Sequence, residues 1–303
     1  MKQIYQPLVF YLPWLTAGWF VSALPSCESR MQANPRGRFL FGQINNCRVS
    51  LWFRLSGPLF VAILWSKKIS GVNYQVRTAG RTRRLYTDGV FHSQYHPQRL
   101  FTGAVWDLLM MPALFYDPGR IKRILLLGVG GGSVIHLLRH YVQPEIIDGI
   151  ELNPVHLQIA RRFFGIKPSF ANLINANGID WLRNYTGPHY DMIIDDLYGE
   201  EDGEPKRAVD LDYRWLSTLR KNLGPQGVLV MNTMSSRELK QAACFTHTQL
   251  SASFKSAYRL HLPVYHNAVG AVYRQSVQAS DLRRRLLQYP GLNQLDFRLR
   301  RLK

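Results

Sequence analysis

Apolar and polar positions alternate in a regular way from Lys122 to about residue 231. Short runs of branched apolar residues, typical of buried strands, are each followed by a stretch whose apolar residues recur at helical spacing. Strands are predicted at 123–127, 146–150, 172–175, 190–194 and 227–231. Helices are predicted at 133–141, 154–164, 179–184 and 212–221. This alternation predicts a parallel sheet that is covered by helices on both faces.

The residues downstream of this region predict an antiparallel end to the sheet. A helix around 237–249 is followed by two strands, at 258–264 and 268–273, which are joined by a short turn. Residues 279–303 are expected to form one basic helix and a tail. The sheet is therefore expected to have seven strands, mostly parallel, with an antiparallel C-terminal hairpin. The fold class is α/β and Rossmann-like.

The residues upstream predict a small β-hairpin at 74–79 and 83–87 and a helix within 100–115. Residues 8–24, LVFYLPWLTAGWFVSAL, carry no charge. Three interpretations of residues 1–70 remain open: a poorly ordered extension, a membrane-associating segment and a cleaved signal. We therefore expect four segments along the chain: an atypical extension at 1–70, a hairpin with a connecting helix at 71–120, the main domain at 121–276 and a basic C-terminal helix and tail at 277–303. The expected location is cytoplasmic, or membrane-associated through residues 8–24.

The net charge of +18 is unevenly distributed. Residues 1–120, 121–235 and 236–303 carry net charges of +10, −1 and +9. Basic flanks indicate RNA, DNA or anionic lipid as a partner, or a solvated surface, and these alternatives stay open. The three cysteines are far apart and show no metal-ligand spacing, so neither a disulfide scaffold nor a metal site is expected.

The first strand of the alternating region ends in a glycine-rich turn before a helix, with glycines at 128, 130, 131 and 132. Ligands of open parallel sheets bind beyond the carboxyl ends of the strands, where glycine allows close approach. Polar groups follow the next three strands: Glu151, Asn177-Gly178 and Asp195-Asp196. A carboxylate at the second strand end can accept both hydroxyls of a ribose. The pattern favours an adenosine that carries a reactive substituent.

NAD is the competing ligand for this turn. Its fingerprint needs a third glycine where the helix packs closely on the strand, and this chain has Ser133 there. The antiparallel hairpin expected at the end of the sheet also favours a methyltransferase arrangement over a dinucleotide-binding one. A tight turn that holds no ligand is the remaining alternative.

The order and spacing of the motifs resemble the spermidine synthase family, a branch of the class I S-adenosylmethionine-dependent methyltransferase fold. The motifs that carry the resemblance lie within about residues 72–275, and they are Tyr74-Gln75, Leu85-Tyr-Thr-Asp-Gly-Val90, Leu127-Gly-Val-Gly-Gly-Gly132, Ile150-Glu151, Asn177-Gly178 and Tyr190-Asp-Met-Ile-Ile-Asp-Asp196. The resemblance implies roles for specific residues. Those of the nucleoside site are Gly128, Gly130, Gly132, Glu151, Asn177 and Gly178. Asp196 falls on the catalytic aspartate of the family, and Asp195 is a second catalytic candidate.

Four positions depart from the family's pattern. Gly131 stands where the family has an acid that binds the aminopropyl amine, and His92 replaces a glutamine. Phe101-Thr102-Gly103 replaces Tyr-Gln-Glu, and Gly199 replaces a second acid beyond the catalytic aspartate. The polyamine contacts are thus largely missing. His92 and Tyr198 are the candidate substrate-binding residues, and the acidic loop 198–204 is expected to attract a cationic substrate.

These features predict a transferase that uses S-adenosylmethionine or decarboxylated S-adenosylmethionine. The acceptor is expected to be a small molecule, with an amine favoured, and Asp196 would accept its proton. Two alternatives remain: a nucleic-acid methyltransferase, indicated by the basic flanks, and a catalytically inactive nucleoside-binding paralogue. No metal is expected, and a homodimer is one open assembly state.

Overall fold

The alternating region folds into parallel strands and covering helices, as its pattern predicts. The computed structural model describes residues 61–201, 204–263, 265–293 and 295–303. Residues 1–60 of the expected extension, which include the segment 8–24, therefore lie outside the described residues. The strands in chain order are β1 (Val61–Ile69), β2 (Val72–Ala79), β3 (Thr82–Thr87), β4 (Val90–Tyr95), β5 (Arg123–Leu127), β6 (Ile146–Glu151), β7 (Asn172–Asn175), β8 (Tyr190–Asp195), β9 (Tyr198–Glu201), β10 (Glu204–Arg207), β11 (Leu223–Thr233), β12 (Ser256–His261), β13 (Ala268–Tyr273) and β14 (Arg298–Arg301).

The helices are mostly short, and several of them begin after a residue whose side chain caps them. They are α1 (Val105–Met110), α2 (Ser133–Tyr141), α3 (Pro154–Phe163), α4 (Gly178–Arg183), α5 (Tyr213–Lys221), α6 (Ser236–Gln241), α7 (Ala243–Thr246), α8 (Thr248–Ala252), α9 (Ala279–Leu287) and α10 (Pro290–Asn293), with a 3-10 helix at Met111–Phe115. The side chains of Asn153, Asn177 and Asp212 accept hydrogen bonds from the first backbone N–H groups of α3, α4 and α5. No helix in the described part of the chain is both long enough and apolar enough to span a bilayer.

The main sheet has eight strands in the described residues, in the order β14-β12-β13-β11-β8-β5-β6-β7. Strands β7, β6, β5, β8 and β11 are parallel to one another, and β13, β12 and β14 continue the sheet in antiparallel pairs. The prediction of seven strands was wrong, because Arg298–Arg301 pairs with β12. Three of the four residues of β14 are arginines, so no apolar pattern indicates this strand.

A second correction concerns the predicted small hairpin. Strands β1 to β4 form a four-stranded antiparallel sheet in chain order, so two strands flank the predicted pair. Strand β1 carries Lys67 and Lys68, and β4 carries His92, Ser93 and Gln94. These polar residues hide the period of two that indicates a strand.

The core lies on both faces of the main sheet. In β5, Ile124 and Leu126 belong to one apolar cluster while Leu125 and Leu127 belong to the other. All four side chains are at most 1% exposed. Burying one leucine or isoleucine stabilises a fold by about 1.5–3 kcal/mol. Strand β5 is thus an inner strand between β8 and β6, buried on both faces, and it holds the glycine turn after it in place.

Candidate active site

The carboxyl ends of the parallel strands bring the predicted polar residues to one edge of the sheet. Leu127, the last residue of β5, pairs with Ile150 on one side and with Asp195 on the other. Asp195 in turn pairs with Met231 of β11. The glycine turn, Glu151, Asp196 and the end of β11 therefore follow adjacent strand ends.

The glycine turn is closely packed against neighbouring segments. Gly128 has a φ of 87°, and a Cβ atom there would overlap the backbone carbonyl oxygen of Asp196. A Cβ atom on Gly130 would lie 2.7 Å from Oγ of Ser93. Ser93 also accepts a hydrogen bond from the backbone N–H of Gly131 at 2.7 Å. Glycine is thus needed here to let β5, β8 and β4 come together.

Glu151 is buried at the end of β6 and binds the glycine turn directly. Its Oε2 accepts hydrogen bonds from the backbone N–H groups of Val129 (2.9 Å) and Gly130 (2.8 Å). Its Oε1 accepts one from the backbone N–H of Asn153 at 2.9 Å. Burial acts to raise the pKa of Glu151, but the neighbouring His156 and these N–H donors outweigh it and hold the pKa below its usual value. The carboxylate is therefore ionised near neutral pH.

His156, on α3, was not among the predicted site residues. Its Nδ1 lies 3.7 Å from Oε1 of Glu151, and its Nε2 forms a hydrogen bond of 2.8 Å with the hydroxyl of Thr87 on β3. The imidazole thus links the N-terminal sheet to Glu151. The sequence gives only a weak signal for this residue. His156 is the third residue of α3, close after the acidic strand end, but its partner Thr87 is 69 residues away in the chain.

His92 lies beside the glycine turn, where a Cβ atom on Gly130 would be 3.9 Å from the Cβ atom of His92. Its ring centroid is 4.9 Å from that of His156, and its Nε2 is buried without a hydrogen-bond partner among the described residues. Burial, together with the charge of His156, lowers the pKa of His92 to about 4. His92 is therefore neutral at pH 7. His96, which follows β4, accepts backbone hydrogen bonds from Gln98 and Arg99 at its Nδ1.

Asn177 and Gly178 lie at the start of α4. The side-chain oxygen of Asn177 accepts hydrogen bonds from the backbone N–H groups of Ile179 (2.9 Å) and Asp180 (3.3 Å). An ideal Cβ on Gly178 would be 3.2 Å from a methyl group of Leu197. The asparagine is thus a helix cap, and the glycine borders the loop that follows β8.

The two adjacent aspartates have different surroundings, since Asp195 is the last residue of β8 and Asp196 begins the segment that follows it. Asp195 is fully buried, and its Oδ2 accepts hydrogen bonds from Arg207 (2.7 Å) and from the indole N–H of Trp215 (2.9 Å). Its Oδ1 has no hydrogen-bond partner among the described residues. Asp195 is thus part of a buried ion pair, and a catalytic role for it stays a prediction.

Asp196 is half-buried at the sheet edge, and its Oδ1 accepts a hydrogen bond from the side-chain amide of Asn232 at 2.8 Å. Burial raises the pKa of Asp196 to about 7. The negative charges of Asp195 and Glu151 act in the same direction, while Asn232 and Arg207 oppose it. A carboxyl group with a pKa near the working pH is suited to accept a proton from a substrate.

The described residues of the acidic loop 198–204 lie in strands β9 and β10, which pair as an antiparallel hairpin. The hydroxyl of Tyr198 donates to the backbone carbonyl of Asn232 at 3.1 Å. Arg207, opposite Tyr198 in the hairpin, donates to the same carbonyl at 2.5 Å. Tyr198 therefore packs against the end of β11, and its predicted contact with substrate stays a prediction. In the described residues, no group of three or more potential metal ligands comes together.

Comparisons with known proteins identify the family to which the chain belongs. Residues 104–279 match the family model of the spermine/spermidine synthase domain. A polyamine aminopropyltransferase of Chromobacterium violaceum is 25% identical over 181 residues, 58% of this chain and 67% of that protein. One from Vibrio vulnificus is 29% identical over 161 residues, 51% of this chain and 50% of that protein. The chain thus spans half to two thirds of these relatives.

A shorter similarity extends to another class of transferase. The eEF1A lysine and N-terminal methyltransferase of Mus musculus is 27% identical over 119 residues, 36% of this chain and 17% of that protein. Among solved structures, a probable spermidine synthase from Corynebacterium glutamicum superposes with a TM-score of 0.62 at 15% identity, covering 79% of this chain and 91% of that one. At this identity the superposition establishes the fold alone, an α/β fold with a mixed central sheet.

Proposed function

Because the chain belongs to the spermine/spermidine synthase family, we propose that it is a transferase that binds S-adenosylmethionine or decarboxylated S-adenosylmethionine. The group transferred is methyl or aminopropyl, and the acceptor is a small amine. The observation that carries this proposal is the position of Asp196, a half-buried carboxyl that accepts a hydrogen bond from Asn232 and lies beside the glycine turn.

Glu151 supports a nucleoside at this edge, with one restriction. A carboxylate has about four acceptor positions. Three are taken by the backbone N–H groups of Val129, Gly130 and Asn153. One position on Oε1 remains, with Nδ1 of His156 3.7 Å away, and a ribose hydroxyl would take this position beside or in place of the imidazole. To accept both hydroxyls, Oε2 would have to release a backbone N–H group.

The residues at the edge suit removal of a proton from an amine. When bound, the sulfonium nucleoside supplies the electrophilic carbon and the leaving group. An alkylammonium with a pKa near about 10 is only about one part in a thousand neutral at pH 7. Asp196, which is roughly half ionised at that pH, can bind the ammonium and accept its proton. Positioning of the amine supplies most of the remaining advantage.

The relatives support an amine as the acceptor. A polyamine, a lysine side chain and a polypeptide N-terminus, which appear in the names of the relatives, are all amines. Glycine stands at positions 131 and 199, where the resemblance expects acidic residues that would bind a polyamine. The choice between methyl and aminopropyl transfer therefore rests on experiment.

Calorimetric titration of the full chain with S-adenosylmethionine, decarboxylated S-adenosylmethionine and NAD tests the proposal. We expect one of the two sulfonium nucleosides to bind most tightly, and tightest binding by NAD would overturn the proposal. In transfer assays with putrescine and with a lysine peptide, Asp196→Asn should keep the nucleoside affinity and lose about 100-fold or more in rate. Binding without turnover of either amine would favour the inactive paralogue, and turnover only with nucleic acid would favour the nucleic-acid methyltransferase.

A further inference from the structure

We infer that Asn232 is a positioning residue for Asp196: its amide fixes Oδ1 of the carboxyl and leaves Oδ2 to take the proton of the acceptor. This inference rests on the proposed function for the identity of that acceptor. The hydrogen bond itself, at 2.8 Å between Nδ2 of Asn232 and Oδ1 of Asp196, joins residues 36 positions apart. Among the described residues, Oδ2 of Asp196 receives no hydrogen bond.

The orientation of the Asn232 amide is set by a second partner. Asn232 is 4% exposed near the end of β11. Its side-chain oxygen accepts a hydrogen bond from the amide of Asn267, which lies 3.3 Å away in the turn between β12 and β13. Because the oxygen faces this donor, the amide nitrogen faces the carboxylate. The reversed amide would place its oxygen against Oδ1 of Asp196 and repel the ionised carboxylate.

The backbone of Asn232 is held from the other side by the hairpin. The Arg207 guanidinium, only 4% exposed, donates to the carbonyls of Asn232 and Val209 and to Asp195. The ion pair with Asp195 offsets a buried negative charge directly next to Asp196. Arg207 therefore holds the backbone of Asn232 in place. It also offsets the negative charge of Asp195, the residue next to Asp196.

The charged and titratable groups around Asp196 come from four strands. Asp195 on β8 and Glu151 on β6 disfavour its ionised form, and Arg207 on β10 favours it. Tyr198 on β9, whose pKa is raised by burial, stays neutral. The hydrogen bond from Asn232 also favours the ionised form. Without that bond, Asp196 should stay protonated, and unable to accept a proton, to a higher pH.

Carbon-13 NMR of aspartate carboxyl groups, with Asp196 assigned from the Asp196→Asn variant, tests this without any ligand. In Asn232→Ala the titration midpoint of Asp196 should rise by about one pH unit. Asn232→Asp keeps the side-chain volume and should raise it further, because two adjacent carboxyls share one proton. Asn232→Asp also serves if the alanine variant does not fold.

The matched control is Asn222→Ala. Asn222 is also buried, at 5% exposure, but it precedes β11 and binds the carbonyl of Thr218. We expect this variant to lose stability without any change in the Asp196 midpoint. An Asp196 midpoint that is the same in wild type, Asn232→Ala and Asn232→Asp overturns the inference.

Transfer assays supply the second readout. In Asn232→Ala the acidic limb of kcat/KM against pH should move upward with the NMR midpoint, while the calorimetric affinity for the nucleoside stays within about twofold. A rate loss without movement of the limb would indicate a merely structural role and overturn the inference. If the midpoint shifts but neither nucleoside binds, the proposed function fails while the hydrogen bond's effect on Asp196 stands.

Discussion

At the scale of single residues, Glu151 shows how a predicted ligand-binding group can also hold its own site together. Its carboxylate accepts three backbone hydrogen bonds, two of them from the glycine turn itself. The sequence, a glutamate at the end of a predicted strand, indicated that Glu151 accepts hydrogen bonds. The sequence did not indicate that the donors would be backbone N–H groups of the protein itself. The role of Glu151 toward a ribose stays a prediction.

Replacing Glu151 by alanine should weaken S-adenosylmethionine binding by about 2 kcal/mol, roughly 30-fold, because a charged acceptor is lost. Calorimetry measures this directly. Asp148→Ala is the matched control, since Asp148 is a buried acid on the same strand that binds the hydroxyl of Tyr190 instead. That variant should lose stability and keep its affinity. Equal affinities in Glu151→Ala and wild type would remove Glu151 from the nucleoside site.

A second residue-scale prediction concerns Asp107, a fully buried acid on α1. Its Oδ2 accepts hydrogen bonds from the backbone N–H groups of Thr102, Gly103 and Ala104. Burial nevertheless raises the pKa of Asp107 from 3.8 to about 7. The folded state therefore binds a proton that the unfolded state has released between these two values, so this group makes the fold less stable as pH rises through that window.

Asp107→Asn keeps an oxygen for the three N–H groups and removes the titration. Relative to this variant, the wild type should lose up to about 1.4 kcal/mol of unfolding free energy per pH unit between about pH 5 and 7, and no more above that. Urea unfolding at pH 5, 6, 7 and 8 measures the difference. Parallel stability curves for the two proteins would show that Asp107 does not titrate in this range.

At the scale of elements, the contact between the glycine turn and the β8 loop holds the site together. Gly128 and Gly165 both have positive φ angles, 87° and 71°. A Cβ atom on Gly128 would overlap the carbonyl oxygen of Asp196, whereas one on Gly165 would meet nothing within 4 Å. Substitution of Gly165 therefore tests the cost of backbone strain alone, whereas substitution of Gly128 tests strain together with close packing.

Gly165→Ala should cost only the strain of an unfavourable φ, about 1 kcal/mol. Gly128→Ala should cost at least about 2 kcal/mol more, since a backbone oxygen cannot move aside as a flexible side chain can. Urea denaturation of both variants gives the comparison. Equal losses would mean that the ends of β5 and β8 separate easily.

At the scale of the whole molecule, the excess of basic residues places like charges side by side. Arg259 on β12 is directly opposite Arg300 on β14, and Arg77 on β2 is opposite Arg84 on β3. Opposed like charges destabilise a sheet by a few tenths to about 1 kcal/mol. Whether the basic flanks bind RNA or DNA stays a prediction, for which a steep salt dependence of binding is the test.

Salt should therefore stabilise the protein. Raising NaCl from about 20 mM to about 500 mM screens these repulsions and should raise the melting temperature. Arg300→Thr should be more stable than wild type at low salt and respond less to NaCl. Lys122→Thr is the opposite control, because it removes an attraction instead of a repulsion: Lys122 forms an ion pair with Glu145 at 2.8 Å. A melting temperature that falls with NaCl would contradict the expectation.

The sequence by itself determined the parallel strands, their helices and the strand ends that carry polar groups. These features depend on local periods of two and 3.6 residues, and on glycine where neighbouring segments approach closely. Only the tertiary structure decided that Asp195 is buried against Arg207 while Asp196 lies at the edge with Asn232. Such contacts join residues far apart in the chain, where no local pattern records the partner. For the same reason, β14 could not be predicted: it is held by pairing with β12 and has almost no apolar residues of its own.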